Sequence, residues 1–331
     1  MANEEVNVCD PNAAKYLGKQ VDYPTEYDPD ILVPISRKKS LESCNIDPDA
    51  YQWYGFDMWR MWEVRFKLDS NKSVQRIGKA LYDAHSSYMI ESKSMKLYFF
   101  SQMFDKLGKT SIDAESNFKN RVTHDLKSKI DSWVTFDSTD PIQYSKNINS
   151  ICEKEMLFSL DHLFLREIDL CVSPVILDEI DSNEFTQGKS DVIDYDDKDL
   201  IKVTELRDSV KRVYVYYGER SNCLVTNQPD FATTIVITKG ACELDKASLL
   251  NYLQSFETVS RFHESTCHTI FDRIVKKLRE KDKESEVTVI SFYTRRGGID
   301  ITPFRTTDKI HYEKIFKLFS DKGGWLKTWN Q

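Results

Sequence analysis

The sequence has no CxxC pair, no GxGxxG, no P-loop glycine motif and no GxSxG. A zinc knuckle, a Rossmann cofactor site, a nucleotide triphosphatase and an α/β-hydrolase are therefore unsupported, and any dinucleotide must bind by another route. No uncharged stretch approaches the ~20 residues of a membrane-spanning helix. The acidic start Met1-Ala2-Asn3-Glu4-Glu5-Val6 lacks the basic and apolar segments of a signal peptide, so a cytosolic protein without membrane contact is expected. Net positive charge is missing too: a formal charge of −7 argues against a broad surface for nucleic acid, permits a local basic pocket and points to a small-molecule partner. The seven cysteines (Cys9, Cys44, Cys152, Cys171, Cys223, Cys242, Cys267) are odd in number and scattered, which gives no disulfide framework.

What is present is globular: 331 residues, 40% hydrophobic and 12% aromatic, enough for two cores of ordinary size. Residues 1 to about 50 read as an irregular arm rich in Asp, Pro and Tyr, including Tyr16-Leu17-Gly18-Lys19 and Tyr23-Pro24. From Phe56, the alternation of Met58, Arg60, Trp62, Val64 and Phe66 predicts a strand, and a second extended run reaches Ile90. Ser92 is placed to cap a helix ending near Leu107-Gly108. A second helix from Ser111 carries Ala114, Phe118, Val122, Leu126 and Ile130 in four-residue steps, and strands are expected at 133–136 and 157–175. The stretch 178–200 is acidic and poor in apolar residues, as a connector would be.

Beyond the connector, strands are expected at 213–217, 224–226 and 231–238, then helices at 247–256 and from His263. Val287, Val289, Ser291 and Tyr293 alternate into a hairpin turn at Arg295-Arg296-Gly297-Gly298. The order strand, strand, helix, helix, strand occurs in both halves. An α+β chain of two diverged copies is expected, each an antiparallel sheet with two helices on one face: an arm plus first module (1–177), the connector (178–200) and a second module (201–331).

Four groups of residues carry chemistry. Cys223 and Asp230 stand seven positions apart across a turn flanked by Ser, Asn, Gln and Pro; they form either a nucleophile with its acid–base partner or a small buried residue beside a turn. Phe262-His263-Glu264 opens a helix, where a glutamate also answers the helix dipole. Lys93 and Lys96 lie three apart, as a solvated face or, with Ser92 and Ser94, as a phosphate site. Adjacent Arg295 and Arg296 beside Gly297 suggest an anion near the turn.

The strings Gly55-Phe56-Asp57-Met58-Trp59, Glu91-Ser92-Lys93-Ser94-Met95-Lys96-Leu97-Tyr98, Ser221-Asn222-Cys223 to Asp230, Phe262-His263-Glu264 and Tyr293-Thr294-Arg295-Arg296-Gly297-Gly298, with Tyr16-Leu17-Gly18-Lys19, occur together and in order. The chain thereby resembles the NADPH-dependent 7-cyano-7-deazaguanine reductases of queuosine biosynthesis, in their two-module form. The resemblance implies two tandem tunnelling-fold modules, each a four-stranded antiparallel sheet with two helices on one face, usually paired as a homodimer. It implies that Cys223 attacks the nitrile carbon to form a covalent thioimide, with Asp230 as proton donor and His263 assisting. Glu91, Ser92 and Glu264 would hydrogen-bond the base and Phe262 would pack on it. Ser92, Lys93, Ser94, Lys96, Arg295, Arg296 and Gly297 would hold NADPH, consumed twice per turnover, with no metal. Cys242 and Cys267 match no motif and are expected to be structural. Rival readings are a zinc-dependent pterin cyclohydrolase using Cys223, His263 and either Cys267 or His268, an amidinotransferase-like relative, and a non-catalytic base-binding protein.

Overall fold

The computed structural model describes residues 23–155, 164–166, 173–181, 200–224 and 228–325. The Tyr16–Lys19 string, most of the connector and residues 225 and 226 of the strand expected at 224–226 lie outside them.

The strands, in chain order, are β1 (Pro34–Ser36), β2 (Tyr54–Lys67), β3 (Ser73–Asp83), β4 (Tyr88–Ile90), β5 (Val134–Thr139), β6 (Val175–Ile176), β7 (Val203–Asn222), β8 (Pro229–Leu244), β9 (Glu286–Tyr293) and β10 (Ile299–Thr306). The helices are α1 (Arg37–Glu42), α2 (Ser92–Ser101), α3 (Ser111–Ile130), α4 (Pro141–Glu155), α5 (Lys246–Gln254), α6 (His263–Arg279) and α7 (Lys309–Ser320). Eight strands form one sheet in the order β5-β3-β2-β10-β9-β8-β7-β6, with β1 and β4 paired separately. The halves meet where β10 runs antiparallel to β2, from Ile299 opposite Met61 to Thr306 opposite Tyr54. The α+β expectation holds. The first half contributes β2, β3 and β5 to this sheet and the second contributes β7 to β10, while β6, from the end of residues 1–177, closes the far edge parallel to β7.

One face of the sheet carries two adjoining cores. Trp59, Met61, Phe66 and Tyr82 pack against Tyr98, Phe99 and Phe118 of α2 and α3 in the first half. Val236, Val287 and Val289 pack against Leu249, Ile270, Phe271 and Ile274 of α5 and α6 in the second. The opposite face is covered as well: Phe56, Met58, Ile235, Ile290 and Phe304 meet Ile315 and Phe319 of α7, an element the two-helices-on-one-face expectation did not include.

The register shifts between Met61 and Val64, so the expected alternation from Met58 to Phe66 is broken. Val64 and Phe66 join Trp59 and Met61 in the first core while Met58 faces the opposite one, as a bulge requires when an extra residue reverses the side-chain parity. The five apolar positions of α3 are all buried, and the Thr110 side chain accepts from Asp113 N to cap the helix. In the run expected as strand at 157–175, residues 164–166 are helical and strand is assigned at Val175. No helix among the described residues is long and apolar enough to cross a membrane.

Candidate active site

The chain turns back on itself after β7, and Cys223 N donates to Gln228 O at 2.8 Å to close the loop. Register then sets Ser221 opposite Asp230, so the hairpin brings a half-buried thiol and a buried carboxylate to one end of the sheet. Two backbone bonds tie this tip to the approach to α6: Asn222 N to Val259 O at 2.8 Å and Arg261 N to Asn222 O at 3.0 Å. They place Phe262, His263 and Glu264 beside the thiol. The opposite wall comes from the first half, through the first turn of α2.

The space enclosed is a cavity of about 150 Å³ lined by Trp59, Glu91, Ser92, Lys93, Lys96, Cys223, Asp230, Phe262, His263, Glu264 and Arg296, among others. Asp230 Oδ2 lies 3.1 Å from His263 Nε2, and its Oδ1 accepts from Arg296 Nη1. Burial would raise the Asp230 pKa, but the hydrogen bonds and charges of His263 and Arg296 outweigh burial and hold it below the ordinary carboxylate range. Asp230 is therefore an anion that can accept a proton before it donates one. Burial, helped by the adjacent Arg296 guanidinium, lowers the Lys96 pKa.

Glu264 sits in the first turn of α6, almost wholly buried. Burial, and then the charge of Asp57, raises its pKa. Its Oε1 accepts from Tyr82 OH at a long 3.4 Å, which leaves acceptor capacity facing the cavity. Asp57 is itself held between Arg37 and Arg305, two buried guanidiniums. Phe262 precedes the helix without a side-chain cap bond and packs on the first core.

The cap of α2 differs from the expectation. Glu91, not Ser92, is the N-cap, its carboxylate accepting from Lys93 N at 2.8 Å and Ser94 N at 2.6 Å. A buried carboxylate at a helix start satisfies two open N–H groups and meets the positive end of the dipole. Ser94 turns inward, its hydroxyl donating to Glu91 O and accepting from Val33 N. The two arginines separate: Arg296 enters the cavity, while Arg295 is 43% exposed at the side chain, 3.7 Å from Glu63 and above the Trp62 ring. Each thus has an acidic neighbour, so an anion is not needed to explain the pair.

A wider cleft of about 670 Å³ adjoins the cavity, sharing Lys93, Lys96 and Ile299 and adding Tyr23, Phe100, Gly297 and Gly298. Gly297 and Gly298 hold φ of +54° and +80°. A Cβ on Gly297 would stand 3.2 Å from Lys96 Cε and one on Gly298 2.9 Å from Glu63 Oε2, so the missing side chains let Lys96 lie along the turn. Trp59, Arg261 and Thr294 also line the cavity; Trp59 and Thr294 stand in strings quoted above but were given no role, and for Arg261 the signal was a basic residue immediately before Phe262-His263-Glu264. Cys242 and Cys267 are buried in the second core, and burial pushes the Cys267 thiol up to about 12. His268 packs edge-on to Trp53, and among the described residues no group of three His, Cys, Asp or Glu could hold a metal ion.

Fold and site define an α+β protein in which a thiol, a carboxylate and an imidazole converge on a cavity rimmed by basic side chains. Residues 23–137 match the family described as "Nitrile reductase, 7-cyano-7-deazaguanine-reductase N-term" and residues 229–312 match "QueF-like protein". The chain is 30% identical over 310 residues to an NADPH-dependent 7-cyano-7-deazaguanine reductase of Legionella pneumophila (strain Lens), covering 92% of this chain and 95% of that protein. Proteins of the same name from Stenotrophomonas maltophilia (strain K279a), 30% identical over 89% of this chain and 93% of theirs, and Dechloromonas aromatica (strain RCB), 28% identical over 91% and 93%, are similar along their length. The chain belongs to the 7-cyano-7-deazaguanine reductase family.

Proposed function

We propose that this chain reduces the nitrile of 7-cyano-7-deazaguanine to a primary amine, with NADPH as reductant, in queuosine biosynthesis. The observation that carries the reading is the hairpin tip that sets Cys223 and the His263-bonded Asp230 at one cavity.

Sγ of Cys223 adds to the nitrile carbon; the C–S bond forms, the triple bond becomes C=N, and the thiol proton passes by way of Asp230 to nitrogen. The ionised state of Asp230 suits it to take that proton first. Reduction to the amine then needs two hydrides and two protons in all. NADPH supplies a hydride on each of two occasions when bound. His263, hydrogen-bonded to Asp230, gives the accompanying protons to the nitrogen, and the C–S bond breaks between the two reductions to return the thiol. Glu264, with unused acceptor capacity, takes the N–H donors of the base; Phe262 packs on its ring, and Glu91 and Ser92 line its edge.

The adjoining cleft fits a dinucleotide: it offers Lys93 and Lys96 for phosphates, a glycine turn without side chains, and exposed aromatic faces at Tyr23 and Phe100. Arg295 and Arg296 lie at the same turn. The chain is by this reading a tandem of tunnelling-fold modules, 1–177 and 201–331 about the connector 178–200, working as a cytoplasmic homodimer. The shared strand and helix order of the two halves supports the tandem.

Mass spectrometry of protein mixed with the nitrile and no NADPH tests the reading. The expected result is a gain of one substrate mass per chain, lost in Cys223→Ala together with NADPH oxidation, and a native-condition spectrum at about twice the 38.7 kDa chain. Full turnover in Cys223→Ala would overturn the mechanism.

A further inference from the structure

A buried acid behind the histidine has no part in the mechanism so far. Glu219 lies on β7 just past the register shift that follows Tyr216 and is 0% exposed. Its Oε1 accepts from Tyr293 OH at 3.0 Å and its Oε2 from Ser291 OH at 3.4 Å. The Tyr293 ring is stacked on His263, with centroids 4.0 Å apart and planes at 23°. His263 in turn bonds Asp230. Carboxyl, phenol, imidazole and carboxylate thus form one contiguous column from the sheet interior to the cavity.

We propose that Glu219 is a positioning residue for the His263–Asp230 pair, acting through the Tyr293 phenol to favour the imidazolium. The proposal rests on the reading of His263 as the proton donor. A carboxylate drawing on the phenol O–H makes the ring more electron-rich, and an imidazolium stacked on that ring is stabilised. The same charge attracts the cation directly across a low-dielectric interior. The groups facing Glu219 are Tyr293 and Ser291 from β9, Thr234 from β8, which shares a hydrogen with Ser291, Cys267 from α6 and Tyr216 from its own strand. None of these carries a positive charge. Burial pushes the Glu219 pKa up to about 7 against the pull of its two hydroxyl partners, so the column changes charge near neutrality. Above that point Glu219 carries a negative charge behind the Tyr293 ring on which His263 is stacked; below it that charge is absent.

Glu219→Gln keeps the shape and the acceptor for Tyr293 OH while removing the charge. In this variant the native-to-variant kcat ratio for NADPH oxidation with the nitrile should grow by about three- to tenfold between roughly pH 6 and roughly pH 8. Nitrogen NMR of the His263 ring, which needs no substrate, should show in the native chain an inflection near the Glu219 titration that Glu219→Gln lacks. Tyr293→Phe, which keeps the stacked ring and cuts the hydrogen bond, should weaken that inflection. A constant kcat ratio across pH together with identical His263 titrations in native and Glu219→Gln protein would overturn the proposal. Because the NMR result does not depend on turnover, a failure there is distinct from a failure of the nitrile-reductase reading.

Discussion

Asp230 links two side chains of different origin, His263 from the start of α6 and Arg296 from the turn before β10, and lines the same cavity as Cys223 across its own hairpin. Asp230→Asn would leave Arg296 and His263 without the anion between them and the thiol without its proton acceptor. Thioimide formation is expected to slow by about a hundredfold or more, read as the time course of mass gain; adduct formation at the native rate would remove Asp230 from the step. The sign of its linkage follows from the pKa direction. A carboxyl with a depressed folded pKa contributes stability above the ordinary aspartate range and loses it as pH falls through the folded value, so the native chain should lose its advantage over Asp230→Asn only in acid. At this scale the local strings left Cys223, His263, Glu264, Lys93 and Lys96 open to structural readings, and it was their resemblance to a family that grouped them; the structure places all five around one cavity. The divergence of Arg295 from Arg296 was not legible, because it depends on carboxylates on two distant elements, Glu63 for the first and Asp230 for the second. Nor was Glu219, whose significance depends on partners 72 and 74 residues away.

Elements with a strong period were legible from sequence, as α3 and α6 show: their apolar stripes fill the two cores. The elements that escaped are held by distant contacts. Helix α7 is anchored by Lys79 of β3, whose buried ammonium donates to Phe319 O at 2.7 Å, Ser320 O at 2.9 Å and Asp321 O at 3.0 Å. It also lies 4.7 Å from the Trp325 ring centroid. A cation at a helix C-terminus meets both the open carbonyls and the negative end of the dipole. Burial lowers its pKa to about 8, so the ammonium form still prevails at neutral pH. Lys79→Met, which keeps the length but no donor, is expected to cost about 2–4 kcal/mol. A chemical denaturation midpoint unchanged from the native chain would show that α7 is held by its apolar face alone. No local pattern near residue 79 announces this role, since the pairing spans 240 residues or more.

At the scale of the molecule, the decisive contact is the seam between β2 and β10, because the cavity has Glu91 and Lys96 on one side of it and Cys223 and His263 on the other. Arg60 and Asp300 face each other in register there, joined at 2.7 Å with both side chains fully buried, and Trp62 Nε1 donates to the same carboxylate. A buried ion pair is weak evidence for net stability, but removing one partner leaves a desolvated charge behind. Asp300→Ala should therefore lose about 3–5 kcal/mol, whereas the double change Arg60→Met with Asp300→Ala should recover part of it. The continuous sheet further implies that the seam does not part while each half stays folded. Urea unfolding followed by tryptophan fluorescence, which samples Trp59 and Trp62 on β2 among the chain's six tryptophans, should coincide with unfolding followed by far-UV circular dichroism. In Asp300→Ala both curves should shift together to lower denaturant. A fluorescence transition that precedes the loss of secondary structure would instead make the halves independent units and the site a product of their docking.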